Sequence, residues 1–234
     1  MRSILKTTAV LFALAAISTA TKAQQGQIGA TNSTSHAVLT DDSGNVVGFK
    51  EYSNLEGSPY FNADWAKGDV KFANSPEQRG RSIKYDEIKD ALLTQMAENK
   101  IGEFDEPVIA FTITNSDGSI AHFSQFPGNG KLSDGAYFQV LSDGKVKLLK
   151  KNAKAISEYK KDIGSAVTTR EAVDNIDYYL LINSKAVRIK KDKKSVESAL
   201  GNKQAELDTY IKANSLNLKN DDDLIRLIVQ YNSL

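Results

Sequence analysis

Two short basic stretches contain the residues with the clearest potential to bind a partner. The first is "KVKLLKK" at 145–151, and the second is "RIKKDKK" at 188–194. If the fold brings them together, they form one cationic surface that attracts polyanions such as lipopolysaccharide, acidic glycans or extracellular DNA. Alternatively, the lysines lie on the solvent side of strands and block sheet-to-sheet aggregation. The polyanion-binding candidates are Lys145, Lys147, Lys150, Lys151, Arg188, Lys190, Lys191, Lys193 and Lys194.

Histidine, the usual catalytic base, is scarce in this chain. His36 lies in a polar N-terminal stretch, and His122 lies beside Phe123 in a predicted strand. A Ser or Thr nucleophile usually needs a histidine that a carboxylate orients. The sequence contains neither a G-x-S-x-G nor an H-E-x-x-H pattern. We therefore predict that His122 is a strand-surface residue and that the chain has no catalytic residue.

Carboxylates cluster at "GEFDEP", residues 102–107, just before a predicted strand. A glycosidase needs two carboxylates at a set separation, and a calcium site needs several oxygens from one compact loop. No calcium-loop spacing is present, so the cluster is typical of a solvated loop. We predict no metal site and no cofactor, and a hydrolase that uses carboxylates alone is a further alternative.

A second carboxylate cluster, Asp221–Asp223, precedes an apolar run that reaches the last residue. It could be a cation site, a catalytic cluster or the start of a helix. Asn220 or Asp221 can cap a helix, and aspartates in a first turn complement the helix dipole. Leu224, Leu227, Ile228 and Tyr231 then follow at helical spacing. The pattern predicts a helix with one buried side.

The N-terminal segment, residues 1–23, has the order of a secretory signal peptide. Arg2 and Lys6 precede the apolar stretch 9–17, and small residues lead to Ala23. The apolar run is shorter than the roughly 20 residues of a membrane span, so the mature chain is predicted to have no transmembrane segment. We expect cleavage near Ala23 and a periplasmic or extracellular protein. The absence of cysteine means that this exported protein is stabilised without disulfides.

The elements that position these residues follow from turn chemistry and periodicity. Residues 24–44 are polar and predict a flexible arm. Residues 45–191 predict a β-rich domain, with hairpins at Asp117–Gly118, Asp143–Gly144 and Asn183–Ser184. Residues 81–96 fit either a helical face or short strands, and this alternative stays open.

The C-terminal segment, 192–234, has a helical pattern. Asp192 is suited to cap a helix over 193–200 that ends at Gly201, and Asn202 to cap a second helix over 203–213. With the helix after Asn220, this completes an α+β fold: an antiparallel β meander or open barrel-like sheet followed by a small helical segment.

The tail "KKSVESALGNKQAELDTYIKANSLNLKNDDDLIRLIVQYNSL" resembles the end of a family of exported Bacteroidota proteins of unknown function, which commonly end in a YNSL-like sequence. "FDEPVIAFTI", "YFQVLSDGKVKLLKK" and "YYLLINSKAVRIKKDKKSV" are similar to the same family. The resemblance covers roughly residues 60–234 and implies a β-rich body, a Lys-rich hairpin and a helical tail. It favours strands in 81–96, and it implies no activity and no site residues.

Together these observations predict an exported, non-enzymatic protein of the bacterial cell envelope. We expect it to bind another envelope protein or a surface component of unknown identity. Polyanion binding by the basic 145–194 region is the alternative. That region holds 14 basic and 6 acidic residues, whereas residues 24–144 hold 9 basic and 17 acidic ones.

Overall fold

A computed structural model describes residues 38–40, 46–95, 101–126, 135–162, 164 and 166–234. The predicted signal peptide lies outside these residues, as does most of the predicted arm, although residues 38–40 of that arm form a strand. The elements, in chain order, are β1 Val38–Thr40, β2 Val46–Phe49, a 3₁₀ turn Lys50–Tyr52, β3 Leu55–Glu56, β4 Ala66–Phe72, β5 Gln78–Asp86, β6 Ala91–Gln95, β7 Ile101–Glu103, β8 Val108–Thr114, β9 Ile120–Gln125, β10 Tyr137–Ser142, β11 Val146–Lys151, β12 Lys154–Tyr159, β13 Thr169–Asp174, β14 Asp177–Ile182, β15 Lys185–Ile189, α1 Lys193–Leu200, α2 Gln204–Ala213 and α3 Asp221–Ser233.

The strands form one large open antiparallel sheet and two small sheets. The large sheet has ten strands in the order β15-β14-β11-β10-β9-β8-β4-β5-β6-β7. A three-stranded sheet, β12-β13-β3, contains the parallel pair β13–β3, and β1 pairs with β2. The predicted α+β class with an open antiparallel sheet is therefore confirmed.

The predicted hairpins are present, and their turns have the expected backbone. Gly118 has φ +83° between β8 and β9, while Asn183 and Ser184 have φ +48° and +61° between β14 and β15. Two consecutive positive φ angles suit a tight hairpin whose twist matches that of its strands. The alternation on β14 turns Tyr178 and Leu180 to one face and Tyr179 to the other.

The part of the sheet around β5 curls back on itself over an aromatic core. The ring of Tyr85 on β5 lies 5.4 Å from that of Phe111 on β8, 5.1 Å from Phe123 on β9 and 6.0 Å from Tyr137 on β10. In the strand order, β10 is four strands from β5, so a flat sheet would keep these rings apart. Strand twist makes such coiling the natural shape of a large sheet.

The three helices pack on one face of β11, β14 and β15 and share a core with them. Leu207 of α2 and Leu224, Leu227 and Ile228 of α3 are fully buried against this face. Near the end of α3, Asn232 bonds both backbone groups of Val146. It accepts from the Val146 N–H at 2.9 Å and donates to the Val146 carbonyl at 2.8 Å. The helical segment is thus docked on the sheet.

The three aspartates at the start of α3 have different partners. Asn220 is the N-cap, since its Oδ1 accepts the Asp222 N–H at 2.8 Å. Asp223 accepts the Asn217 N–H at 3.0 Å, whereas Asp221 points to the sheet and pairs with lysines there. The prediction of a capped helix with one buried side is confirmed.

Two expectations from the sequence need correction. Of the two alternatives for 81–96, the strands are confirmed over the described part, since β5 ends at Asp86 and β6 runs from Ala91 to Gln95, and the helical alternative is wrong. The second helix begins one residue later than predicted, and its N-cap is Lys203, with φ +57° and no side-chain cap, instead of Asn202. Asn202 accepts a hydrogen bond from the Tyr231 hydroxyl at 2.9 Å, which ties the loop to α3.

The sequence did not predict the hairpin β12–β13, which lies outside the large sheet. It leaves the large sheet between the neighbouring strands β11 and β14, and it pairs with β3 from the N-terminal region. Tyr159 on β12 is 39% exposed.

Candidate functional site

A cavity of about 530 Å³ opens where β14 and β15 meet the start of α1. We call it the basic groove, because three of its side chains are cationic and an aromatic ring forms part of its wall. Its lining residues are Ile176, Asp177, Tyr178, Arg188, Ile189, Lys190, Lys191 and Ser195.

The register of the last hairpin places these residues. Tyr178 on β14 lies opposite Ile189 on β15, and Tyr179 lies opposite Arg188. Because β15 is an edge strand of the large sheet, side chains from both of its faces border the groove. Arg188 comes from one face and Ile189 from the other.

A tight turn from β15 into α1 fixes the remaining wall. Ser195 Oγ accepts the Lys190 N–H at 2.9 Å, and the Ser195 N–H donates to Asp192 Oδ1 at 2.8 Å. Asp192 is the N-cap of α1, as predicted. These two hydrogen bonds hold Lys190 and Lys191 next to the first turn of the helix.

Behind the groove, Asp221 of α3 is a shared acceptor. It receives Tyr178 Oη at 2.7 Å, Lys191 Nζ at 2.8 Å and Lys150 Nζ at 3.0 Å. Lys191 Nζ also lies 4.7 Å from the centre of the Tyr178 ring. Burial alone would raise the pKa of Asp221, but these three hydrogen bonds outweigh it and the pKa is lowered. Asp221 is therefore an ionised anchor for the two lysines.

The front of the groove is more open. The Arg188 guanidinium binds Asp177, with Nε 3.0 Å from Oδ1, and its side chain stays 61% exposed. Lys190 is exposed and has no acidic partner among the residues that the structure describes. Ile176, at the rim, is 42% exposed. The groove thus offers cations, an aromatic wall and an apolar rim within one opening.

The nine basic residues predicted to bind polyanions do not share one surface. On β11, Lys150 lies on the helix side with Leu148, whereas Lys147 and Lys151 alternate to the opposite side. Lys147 pairs with Asp143, and Lys193 with Asp208. Lys145 and Lys194, like Lys190, are exposed and lack an acidic partner within the described ranges.

Lys151 lies inside the molecule, with 8% of its surface exposed. Its Nζ is 2.7 Å from Asp90 Oδ1 and donates to the Tyr137 carbonyl at 3.0 Å. Tyr85 also donates to Asp90, at 2.5 Å, and burial followed by the charge of Asp90 raises the pKa of Tyr85. Such a satisfied buried network supports structure. Alternation on β11 already places Lys151 on the same face as buried Leu149, which is the signal that the sequence analysis did not use.

A second buried lysine–carboxylate pair involves Lys154, three residues after Lys151. Lys154 Nζ is 3.0 Å from Glu87 Oε2 and donates to the carbonyls of Ser58 and Tyr60 at 3.0 and 2.8 Å. Burial raises the pKa of Glu87, although Lys154 opposes the shift. These bonds connect the N-terminal loop to the start of β12.

His122 is exposed on β9 and lies opposite Thr112 of β8. It borders a small cavity of about 190 Å³ with Asp69, Lys71 and Glu77. Its placement on a strand surface is as predicted. Within the described residues, no group of three or more His, Asp or Glu side chains is arranged to hold a metal ion.

No family model, no curated protein and no solved structure matches this chain in the comparisons with known proteins. In the part of the chain that the structure describes, no helix has both the length and the apolar character to cross a membrane.

Proposed function

We propose that this chain is an exported, non-enzymatic protein of the cell envelope that binds another envelope protein or a surface component through the basic groove. The observation that supports the proposal is the composition of that groove. Arg188 and Lys190 offer exposed positive charge beside the ring of Tyr178 and the apolar rim residue Ile176. Binding sites typically combine apolar walls with a few placed polar groups.

The groove is suited to a partner segment that carries both acidic and apolar side chains. Carboxylates would bind Lys190, and also Arg188, whose side chain stays 61% exposed beside Asp177, since guanidinium and ammonium groups form charge-assisted bonds with carboxylates. Val173 on β13, three residues before Ile176 in the sequence, is a further exposed apolar side chain, with 37% of its surface accessible. Aromatic and arginine side chains are enriched where protein interfaces are strongest.

The test compares partner recovery by two charge-matched double variants of the mature chain. Arg188→Glu/Lys190→Glu reverses the charge of the groove, whereas Lys67→Glu/Lys71→Glu reverses two exposed lysines of β4. Both variants are immobilised and exposed to envelope extract with a chemical crosslinker, after melting curves have confirmed that both fold. We expect a partner that the wild type and the β4 variant recover and the groove variant loses.

Two results would contradict the proposal. One is the failure of the wild type to recover any specific partner across a range of salt concentrations. The other is equal recovery by the groove variant and the β4 variant, because that would place the contact elsewhere.

Polyanion binding is a second candidate, supported by Lys145, Lys190 and Lys194, which are exposed and have no acidic partner in the part of the chain that the structure describes. The other six predicted basic residues already have acidic partners, so few cations are left for phosphates or sulfates. With three contacts, log Kobs should fall with log salt at a slope of about −3. Retention on heparin that the groove variant loses would favour this candidate, and a steeper slope would require more cations than these three.

Export is the remaining part of the proposal and depends on residues 1–23. The expected outcome is a secreted or periplasmic product that begins near Gln24, measured by intact mass after expression of the full chain in a Gram-negative host. An uncleaved cytoplasmic product would contradict it.

A further inference from the structure

A second potential binding site lies at Arg81, far along the sheet from the basic groove. Arg81 shares a side of β5 with Ile83 and Tyr85, which are 0% and 1% exposed. Alternation along a strand therefore turns Arg81 towards the core-facing side of the curled sheet. An arginine at such a position normally needs an acidic partner.

The Arg81 guanidinium is incompletely hydrogen-bonded within the described residues. Its Nε is shielded from solvent and makes no hydrogen bond, and Nη2 makes one long bond, 3.4 Å, to Thr94 Oγ1. No acidic group pairs with the guanidinium among the described residues. A shielded N–H without a hydrogen-bond partner is costly, and such groups in folded proteins call for an explanation.

The explanation we favour is the cavity next to it, which has a volume of about 330 Å³. Phe72 and Phe104 form apolar walls, with their rings edge to face at 5.4 Å. Gln78 and Thr94 add an amide and a hydroxyl. Ligand pockets span about 300–1,000 Å³, so this cavity is suited to a small molecule.

Acidic side chains form another part of the lining. Asp105 and Glu106 are both exposed, and neither pairs with Arg81. Glu106 accepts a hydrogen bond from Ser75, whereas Asp105 has no hydrogen-bond partner in the described segments. The cavity thus has one cation on its core side and carboxylates at its exposed part, which disfavours a multiply charged anion and suits a ligand with one charge of each sign.

We propose that this Arg81 pocket binds a small monocarboxylate that carries an apolar group, and that it prefers an apolar amino acid to the same acid without its amino group. The carboxylate pairs with the Arg81 guanidinium, because planar guanidinium and carboxylate groups match in geometry. The apolar group lies against Phe72 and Phe104. The ammonium group lies towards Asp105 at the acidic side.

Isothermal titration calorimetry on the mature chain tests the proposal with three probes. L-phenylalanine has all three features, 3-phenylpropionate lacks the amino group, and phenethylamine lacks the carboxylate. We expect saturable binding of phenylalanine and weaker binding of both phenylpropionate and phenethylamine. Each lost charge-assisted bond should weaken binding about 10- to 100-fold.

The variants assign the binding to the pocket. Arg81→Gln should lose affinity for phenylalanine by about 10- to 100-fold, whereas Arg79→Gln should bind like the wild type. Arg79 is the matched control, since it lies on the same strand, pairs with Glu77 and is 81% exposed. Because Arg81 has no acidic partner among the described residues, its variant should not lower the melting temperature. Asp105→Asn should narrow the preference for phenylalanine over phenylpropionate.

The absence of saturable heat from both acids with the wild type would overturn the proposal. Equal affinity of Arg81→Gln and the wild type would overturn it as well, since the binding would then lie elsewhere. An unchanged preference in Asp105→Asn would overturn the role of the acidic side. The groove variants concern other residues, so either proposal can fail alone.

Discussion

Replacing Asn232 with alanine should destabilise the fold by removing the side chain that fastens α3 to β11. The amide makes two hydrogen bonds to the backbone of Val146, at 2.9 and 2.8 Å. An intramolecular hydrogen bond contributes about 0.5–1.5 kcal/mol net, so the pair contributes about 1–3 kcal/mol. Val146 is 2% exposed, which limits how well water can replace the amide and puts the expected loss in the upper part of that range.

Urea denaturation followed by circular dichroism measures this loss. We expect a lower midpoint with an unchanged m-value, since the surface exposed on unfolding stays the same. In a thermal melt the Tm should fall by about 2–4 °C per kcal/mol for a chain of this size. Asn232→Asp keeps the shape but replaces the donor with an acceptor that faces the Val146 carbonyl, so it should cost at least as much as alanine.

Gln230→Ala is the matched control on the same helix, because the Gln230 side chain makes no hydrogen bond in the described structure. It should leave the free energy of unfolding within about 0.5 kcal/mol of wild type. If Asn232→Ala falls in that same range, the two bonds contribute little and α3 is held by its apolar side alone.

A double-mutant cycle with Gly144 gives an independent check. A Cβ on Gly144 would lie 2.5 Å from Asn232 Nδ2, and Gly144 has φ +152°. Gly144→Ala therefore combines backbone strain with displacement of the Asn232 amide. In the Asn232→Ala background the displacement no longer matters, so Gly144→Ala should cost less there than in the wild type. Additive costs would show that the two positions are independent.

Two further predictions concern stability. Asp221→Asn should lower the free energy of unfolding by about 1–2 kcal/mol at neutral pH, since it removes the charge that two lysines and a tyrosine share at a partly exposed site. Because folding lowers the pKa of Asp221, this loss should be complete above the ordinary Asp pKa of about 3.9 and should shrink as the pH falls below it. A loss of stability that does not depend on pH would contradict this. Gly68→Ala should lower the free energy of unfolding by about 3 kcal/mol, because the new Cβ would lie 1.9 Å from the Thr112 carbonyl oxygen and force β4 and β8 apart. A melting temperature like that of the wild type would show that the two strands separate without cost.

The predictable parts of this fold depend on residues that are close in the chain. Asp-Gly and Asn-Ser pairs set hairpin turns through their own backbone angles, and Asp192 and Asn220 cap helices within a few residues. The β12–β13 hairpin could not be placed in this way. Its partner strand β3 begins more than a hundred residues earlier in the sequence, and no local pattern reports such a pairing.

At the candidate site, too, the sequence predicts the residues that are close in the chain but not their partners that are far away in it. The run of lysines indicates positive charge, yet its effect depends on acceptors elsewhere in the chain. Asp221, which pairs with Lys150, is 71 residues away from it. Asp90, which pairs with Lys151, lies on the loop between β5 and β6. The sequence therefore predicts a larger exposed cationic surface than the structure has, because most of these lysines form ion pairs with carboxylates of the same chain.

Arg81 illustrates the opposite case. It lies in an acidic region of the sequence, where an arginine is expected to find a carboxylate, and nothing about its neighbours indicates a site. In the folded chain most lysines of the basic stretches have acidic partners, while Arg81 faces the core side of the sheet without one among the described residues. A cation that the fold positions but does not pair retains its capacity to bind an external anion. If Arg81→Gln does not lower the melting temperature but weakens carboxylate binding about 10- to 100-fold, the role of Arg81 is to bind an external carboxylate.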